Sequence, residues 1–392
     1  MSEQQYIDFY RAERDTIFAR SDARLNALRD GACALLERKG FPTMKEERYR
    51  YTDVGKDFAP NYGISLMPAE DAAPCPEEYG TLADASDPVV ALNTMLAMSC
   101  RVVRIARGER PEHPVQITNM LRGEHPEMVC RRLIIIVEEG AEADVIITDR
   151  AVSKQPFLTN QVIEVFVADG ARLNLYEIEE THLLCTRYSS LFMQLGRGCS
   201  VHHTSLTLFN GHSRNRVDVA LCGEHSEVVM NGCVIADKMQ HTDCNTLIDH
   251  RVPHCDSRQL YKYVLDDSAV GAFAGRILVR EGAQKTSSQE TNANLCATKT
   301  ARMFTQPMLE IYADDVKCSH GSTVGQMNED ALFYMRQRGI SEAEARLLLK
   351  SAFITEVVEC IPLASLRDRL QVLVDRRLKG ELSKCEGCKL CE

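Results

Sequence analysis

The chain has 392 residues, of which 44% are hydrophobic and 26% are charged, and its formal net charge at pH 7 is −10. These fractions are typical of a globular protein, and the length allows one large domain or two to three ordinary ones. The acidic balance argues against nucleic acid as the main partner, because binding to phosphates requires a basic surface.

The first twenty residues carry charges throughout and contain no apolar segment of the kind that a secretory signal requires. The longest strongly apolar run, Leu133 to Val137, is far too short to span a bilayer. We therefore expect a cytoplasmic protein without a membrane segment. Its sixteen cysteines are expected to be reduced thiols or metal ligands, because disulfides belong mainly to small secreted domains.

Two helices and a connector are predicted before the main body of the chain. Apolar residues recur at helical spacing between Gln5 and Arg38, and Gly40 with Pro42 predicts the end of the second helix. Residues 1–60 are therefore interpreted as an N-terminal helical domain. Residues 61–88 are rich in Pro, Ala, Asp and Glu, which is typical of a loose connector and places a domain boundary there.

Residues 89–325 have a repeating β pattern. Short apolar runs alternate with turn signals at intervals of about 25 to 30 residues, a period that indicates a repeat architecture. Each interval contains two or more strand-like runs and no pattern of helix length, so we predict a mainly β protein with a right-handed β-helix (solenoid) core flanked by N-terminal and C-terminal α-helical domains. A two-sheet sandwich is the alternative. The turn signals are Gly140, Gly170, Gly198, Gly223, Pro253 and Gly282.

The last two predicted strands contain a candidate metal-binding pair. Met308 to Tyr312 form an apolar run, Asp314-Asp315 indicates a turn, and the strand after it is expected to end at Gly321. Residues two apart on a strand share a face, so Cys318 and His320 should project together, and a thiolate beside an imidazole suits iron, copper or zinc. Spacing alone gives a weak metal signal, because metal sites normally use three or four ligands and free cysteine is often a buried small hydrophobe.

A β-helix has an open end, and Cys318 and His320 are expected near it. The last coil leaves backbone groups unpaired, and such an edge must be capped or paired with another chain. The strands from Met308 to His320 are expected at or near that coil.

Helices are predicted again after Met327. Ser341 and Glu344 form a capping box ahead of an apolar helical face, and Leu366, Leu370, Leu373 and Val374 predict a further helix. Residues 326–380 are therefore interpreted as a C-terminal helical domain.

The chain ends in a cysteine-rich tail, residues 381–392. Cys385, Cys388 and Cys391 have the spacing of the first three ligands of a bacterial ferredoxin-type cluster motif, but the fourth ligand is missing. Binding of a metal or cluster by this tail and a tail that binds nothing both remain open.

Several histidines lie in the middle of the chain, but most are expected to be surface or satisfied core residues. They are His202, His203, His212, His225, His241, His250 and His254. The sequence contains no GxxxxGK[ST], no GxGxxG after a strand, no HExxH and no GxSxG, so no nucleotide binding and no hydrolytic or redox chemistry of its own is predicted.

The region from Phe304 to Val357 resembles the C-terminal signature of the SufB/SufD family, the scaffold subunits of the SUF iron–sulfur cluster assembly machine. The similarity is carried by EIYADDVKCSHGSTVG and EDALFYMRQRGISEAEARLLLKSAFITEV, and further upstream by ALNTMLAMSC and GFPTMKEERYRYT. It covers most of the chain. Pro307 follows Phe-Thr-Gln where the SufB branch carries a cysteine, which favours the SufD branch, whereas Tyr49 stands where the family commonly has tryptophan.

The resemblance implies a non-catalytic scaffold that joins a SufB-like subunit through the end of its β-helix and helps to build and deliver nascent Fe–S clusters. It implies His320 as an iron ligand or as a residue that orients one, with Cys318 as a second ligand and iron or a transient cluster at the partner interface. It also implies docking of a SufC-like ABC ATPase on the segment from Tyr334 to Cys360. That segment contains Arg338, Gly339, Phe353 and Val357.

The partner would supply the ATPase activity, and this chain would bind no nucleotide. Without its partner, the chain could form a homodimer through the same coil. One alternative is a stand-alone metal- or cluster-binding protein that uses only the CxxCxxC tail. Another is an exported β-helix enzyme acting on carbohydrates, but such an enzyme needs clustered carboxylates, and the acidic residues here are scattered.

Overall fold

The computed structural model describes residues 2–381, in which helices precede and follow a long solenoid. The helices before the solenoid are α1 (Gln4–Arg20), α2 (Ala23–Lys39), α3 (Val54–Asp57) and α4 (Pro88–Leu96), with a 3-10 turn at Glu47–Tyr49. The helices after it are α5 (Glu329–Gln337), α6 (Glu342–Glu359) and α7 (Ala364–Leu378). The N-terminal and C-terminal helices that the sequence predicts are thus confirmed.

The strands alternate between two sheets. In chain order they are β1 (Gly63–Ile64), β2 (Arg101–Ile105), β3 (Val115–Leu121), β4 (Glu127–Val137), β5 (Glu142–Ala151), β6 (Phe157–Val167), β7 (Arg172–Glu180), β8 (Cys185–Leu195), β9 (Ser200–Phe209), β10 (His212–Leu221), β11 (Glu227–Ala236), β12 (His241–His250), β13 (Asp256–Leu265), β14 (Val270–Val279), β15 (Ser287–Cys296), β16 (Arg302–Ile311) and β17 (Lys317–Gln326). The odd-numbered strands from β3 to β17 form one sheet, and the even-numbered strands with β1 form the other.

Parallel pairing between successive coils defines the solenoid. From β3 onward, each strand pairs with the strand two positions later in the chain, so that Asn215 of β10 lies beside Cys244 of β12, 29 residues further on. This confirms the β-helix and the repeat interval. The sandwich alternative is wrong, because its sheets are antiparallel. The strands of the coils begin at Arg101 and not at Val89, because α4 forms a helix that is buried along its whole length.

One corner of each coil before the last contains a residue in the left-handed backbone conformation. Gly140 and Gly170 have φ values of 67° and 68°, and the amide of Gly170 donates to the carbonyl of Arg197 in the next coil, at 2.8 Å. In later coils the corresponding left-handed residues are His225, His254 and Lys285, with φ values of 61°, 61° and 59°. The turn signals at Gly223, Pro253 and Gly282 therefore lie just before the residues that make these corners.

The helical domains cover the outer faces of the two sheets. Helices of the N-terminal domain pack against Met128 and Tyr188 on the even-numbered sheet. Ile354 and Val357 of α6 pack against Leu206 and neighbouring residues on the odd-numbered sheet. Parallel sheets require cover on both faces, which explains why helices flank the solenoid at both ends of the chain. Among residues 2–381, no helix combines the length and the apolar character that crossing a bilayer requires.

The interior of the middle coils contains paired charges, which the sequence pattern did not predict. Arg187 lies between Asp149 and Glu177, with Nε 2.6 Å from an oxygen of Asp149 and Nη2 3.2 Å from Oε1 of Glu177. The second oxygen of Glu177 lies 3.0 Å from Nε2 of His203, which is fully buried. Charges at this depth are tolerated because each has a partner.

The corner geometry predicts that Gly170→Ala will lower the free energy of unfolding by about 1–2 kcal/mol, because an L-residue is strained at positive φ. No atom lies within 4 Å of the added methyl group, so the backbone alone would account for the loss. Gly282→Ala is the matched control, since it also has open space but no positive φ. Denaturant titration of both variants measures the effect, and equal stability in the two would contradict the assigned strain.

Candidate functional site: the open last coil

The strands β16 and β17 form the last coil, and within residues 2–381 each has a neighbouring strand on one side only. This confirms the expected position of Met308 to His320 in the chain's fold. The strand β17 continues through Gly321, which pairs with Thr291 of β15, so the prediction that Gly321 ends the strand is wrong. Each strand has ten residues and leaves a free edge of backbone donors and acceptors.

Apolar side chains are exposed on this coil. Tyr312 and Val324 are 63% and 51% exposed, and Phe304 and Ile311 are also exposed. Phe304 stacks on Tyr51 of the N-terminal domain, with ring centroids 5.0 Å apart. A free strand edge with apolar side chains is a template for pairing with another chain, so the last coil has the properties of an interface.

Cys318 and His320 lie on the same face of β17, as the sequence predicts. They are in register with Ser288 and Glu290 of β15, whose side chains are buried. Cys318 packs beside Leu309 at the edge of an apolar cluster, and its burial raises the pKa of its thiol. His320 is exposed. Among the described residues no three Cys, His, Asp or Glu side chains converge on one metal position, so this pair alone is not a complete metal site.

Glu290 is a buried carboxyl group one strand below His320, and the sequence analysis missed it. Its Oε2 accepts from Gln259 Nε2 at 3.2 Å, whereas Oε1 has no hydrogen-bond partner among the described residues. A Cβ atom on Gly275 of the facing sheet would lie 2.5 Å from both carboxyl oxygens, so glycine provides the space that the carboxyl group occupies. Burial raises the pKa of Glu290 to about 8.

The signal that could have revealed Glu290 is the polar run of β15. Ser288, Glu290, Asn292 and Asn294 alternate along this strand and are all buried, whereas three of the four corresponding positions two coils earlier, on β11, are the buried apolar residues Val228, Met230 and Val234. Without the register, alternating polar residues on a strand suggest a solvent-facing side. The structure shows that here they face the interior.

Two polar ladders reach the last coil through the interior. In the first, His250 Nε2 lies 2.9 Å from Ser257 Oγ, and Ser257 Oγ lies 2.6 Å from Oγ of Ser288, the register neighbour of Cys318. In the second, Gln259 and Glu290 stack below His320. Behind each candidate ligand on β17 there are therefore polar side chains of the preceding coils, in the interior of the solenoid.

The two sheets are joined across the last coil by hydrogen bonds between side chains. Thr305 Oγ1 on β16 lies 2.7 Å from Ser322 Oγ on β17 and donates to Asn292 Oδ1 at 2.8 Å. Pro307 on β16 is in register with Gly275, the residue whose missing side chain leaves room for Glu290. Proline is tolerated on such a strand because an edge strand can lack one amide donor.

The segment expected to dock an ATPase is mainly α6 and the turn before it. Arg338 follows α5 and donates to the hydroxyl of Tyr334 at 2.8 Å, and Gly339 has a φ of 86°. Phe353 lies 4.5 Å from the Lys262 ammonium group. Val357 is fully buried against the solenoid, so its side chain supports the segment and does not form its surface.

The exposed apolar residues of this region are not the four that the sequence analysis named within the docking segment. Phe333, Tyr334 and Leu348 are all exposed large hydrophobic side chains. The Ser341 cap is confirmed, since its Oγ accepts from the amide of Glu344 at 3.2 Å. The tail cysteines Cys385, Cys388 and Cys391 lie outside the described residues.

Comparison with known proteins gives two family matches and several relatives. The family description "SUF system FeS cluster assembly, SufBD core domain" matches residues 119–353, and "SufBD protein N-terminal region" matches residues 1–79. The iron-sulfur cluster assembly protein SufD of Escherichia coli is 30% identical over 334 residues, which cover 84% of this chain and 78% of that protein.

Two further relatives show the same level of similarity. A SufBD family protein of Synechocystis is 30% identical over 76% of this chain and 68% of its own length. A SufBD family protein of Mycobacterium tuberculosis is 30% identical over 72% of each chain.

Glu290 predicts a pH dependence of stability. Its pKa is about 8 in the folded protein, above the value of about 4.5 expected when unfolded, so folding takes up a proton between these values. Its contribution to the free energy of unfolding should therefore be present at pH 4 and fall by up to about 1.4 kcal/mol per pH unit from roughly pH 5 to pH 8.

Glu290→Gln should remove this slope, which denaturant titrations at several pH values would measure. Glu281→Gln is the control, because Glu281 is exposed in the turn between β14 and β15. A Glu290→Gln protein with the same pH profile as the unmodified protein would show that Glu290 is not held protonated.

Proposed function

The chain belongs to the SufBD family of the SUF iron–sulfur cluster assembly system, and from this we propose that it is a scaffold subunit that pairs with a SufB-like partner through its last coil. The observation that carries the proposal is the open edge formed by β16 and β17, with exposed apolar side chains beside an incomplete set of ligands. A partner strand would satisfy the backbone groups and cover the apolar surface at the same time.

We propose that iron or a nascent cluster is handled at this junction as cargo. His320 is the most exposed of the candidate ligands and can present its imidazole to the partner, while Cys318 would contribute a thiolate from the coil's edge. Thiolate and imidazole are both ligands that iron accepts, and the remaining positions would be filled by the partner. We propose that Glu290, in register with His320 on the neighbouring strand, orients the imidazole when the partner binds, as carboxyl groups behind metal-binding imidazoles do.

We further propose that the segment from Tyr334 to Cys360 docks a SufC-like ABC ATPase. In support, Tyr334 and Leu348 are exposed apolar side chains on adjoining helices, beside Phe333. The chain has no P-loop of its own, so ATP hydrolysis is assigned to that partner, and this chain is proposed to be a non-catalytic, cytoplasmic subunit. The helix α6 packs on the odd-numbered sheet, which ends in β17. When two ATPase subunits close on ATP, α6 would transmit their movement to this sheet and so change the access to the junction.

His320→Ala is predicted to leave the fold and the mixed complex intact but to lower the iron and sulfide content of the anaerobically purified complex roughly tenfold, the scale seen when a ligand environment is damaged. The exposed His113→Ala, ahead of β3, is the control. If the His320→Ala complex contains as much iron and sulfide as the unmodified complex, His320 takes no part in handling the iron. Deleting residues 381–392 in the same assay distinguishes the scaffold from a protein that binds metal only with its tail, because the latter would lose all its iron.

Val324→Glu is predicted to prevent formation of the mixed complex, because pairing would bury an unpaired charge on β17 at a cost of several kcal/mol. Val152→Glu is the matched control, since Val152 is 50% exposed and Val324 is 51% exposed. Light scattering on size-exclusion fractions, after co-expression with the SufB-like and SufC-like proteins, gives the mass of each complex. A Val324→Glu chain that assembles as well as Val152→Glu would place the interface elsewhere.

A further inference from the structure

A groove of about 790 Å³ lies between the N-terminal domain and the outer face of the even-numbered sheet. Two histidines at the starts of neighbouring strands, His212 of β10 and His241 of β12, line it, and Asp57 of α3 lies behind them. These strands are parallel and His212 is in register with His241. The groove is separate from the interior of the last coil, and the proposed function makes no use of it.

The two imidazole rings form a close pair with unused nitrogen atoms. Their centroids are 4.3 Å apart and their planes are inclined by 64°. Nε2 of His212 and Nε2 of His241 are both buried, and neither has a hydrogen-bond partner among the described residues. A buried polar atom without a partner costs about 1–3 kcal/mol, and two of them on neighbouring rings that line one groove indicate a place for a bound group.

Asp57 fixes the orientation of the first histidine. Its carboxylate lies 2.8 Å from Nδ1 of His212, and it also accepts a hydrogen bond from the hydroxyl of Tyr188 at 2.6 Å. The Nδ1–H of His212 therefore points to the carboxylate, which leaves the lone pair on Nε2. A carboxylate behind an imidazole in this way is the usual support of a metal-ligating histidine.

His241 supplies the second nitrogen atom. It lies in the neighbouring coil, in register with His212, and its buried Nε2 has no hydrogen-bond partner among the described residues. Lys56 and Lys238 also line the groove, together with Asp53, but the Lys238 ammonium group lies over the ring of Phe209.

We propose that His212 and His241 bind a first-row transition-metal ion that prefers imidazole, such as Ni²⁺ or Zn²⁺, with Asp57 as the positioning residue of His212. Nitrogen ligands exclude Mg²⁺ and Ca²⁺, which require oxygen. Among the described residues no third Cys, His, Asp or Glu converges on the pair. The remaining coordination positions are therefore left to water or to a bound molecule.

The test uses Ni²⁺ and the full-length chain with Cys385→Ser, Cys388→Ser and Cys391→Ser, so that tail thiols cannot bind the metal. Isothermal titration calorimetry should show one equivalent of Ni²⁺. His241→Gln should weaken its affinity at least tenfold through loss of one of two ligands. Asp57→Asn should weaken it roughly ten- to a hundredfold although both ligands remain.

The absorption spectrum of the Co²⁺ complex distinguishes ligation from positioning. It should change in His241→Gln, which alters the ligand set, and be retained at saturating Co²⁺ in Asp57→Asn. Thermal melting shows that each variant is folded, and Asp57→Asn and His241→Gln are independent changes on different elements.

The matched control is the chain's other imidazole pair, His225 and His254, whose rings stack at 5.0 Å on an exposed corner. The double variant His225→Asn/His254→Asn keeps residues that tolerate positive φ and should bind Ni²⁺ like the parent. The proposal is overturned if the parent binds no Ni²⁺, if His241→Gln and Asp57→Asn bind as tightly as the parent, or if affinity is lost in the control instead.

Discussion

The ladder of hydrogen bonds between parallel coils is the constraint on which the rest of the structure depends, because it can extend the solenoid but cannot close it. Each strand from β5 to β15 is paired with the strands two positions before and after it, and β16 and β17 have no later strands to pair with among the described residues. The helical domains cover the outer sheet faces, but they do not extend the ladder. At this end of the solenoid the free edge leaves backbone groups unsatisfied, and Cys318 and His320 lie there.

The same ladder determines which side chains can act together. Because pairing is parallel and in register, each residue stacks on its counterpart in the next coil, so Gln259, Glu290 and His320 form one column. In the middle coils Arg187 is paired with Asp149. Near the open end Glu290 has no charged partner, and one of its oxygens has no hydrogen-bond partner among the described residues. The register therefore decides which buried carboxyl group meets a cation and which does not.

Local and periodic features were predictable from the sequence, whereas features that depend on register were not. The stop at Gly40 and the cap at Ser341 are local, and the shared face of Cys318 and His320 follows from strand geometry. The role of Glu290 depends on Gln259, 31 residues away, and on a glycine of the facing sheet. The helix α4 was missed because it is buried on every side and so has no amphipathic period. The pairing of His212 with His241 likewise required the register.

Pro307 gives a physical reason for two different subunits at the proposed junction. It lies on the edge strand β16 in register with Gly275, on the side of Glu290, and its side chain has no atom that can bind a metal. A second copy of this chain would repeat the same set, with Cys318 and His320 on β17 and no ligand at this position of β16, because a two-fold interface duplicates each residue. A SufB-like partner with a cysteine at the corresponding position would instead add a thiolate from the opposite sheet. A homodimer would thus satisfy the strand edges, whereas only the proposed mixed pair would supply ligands from both sheets.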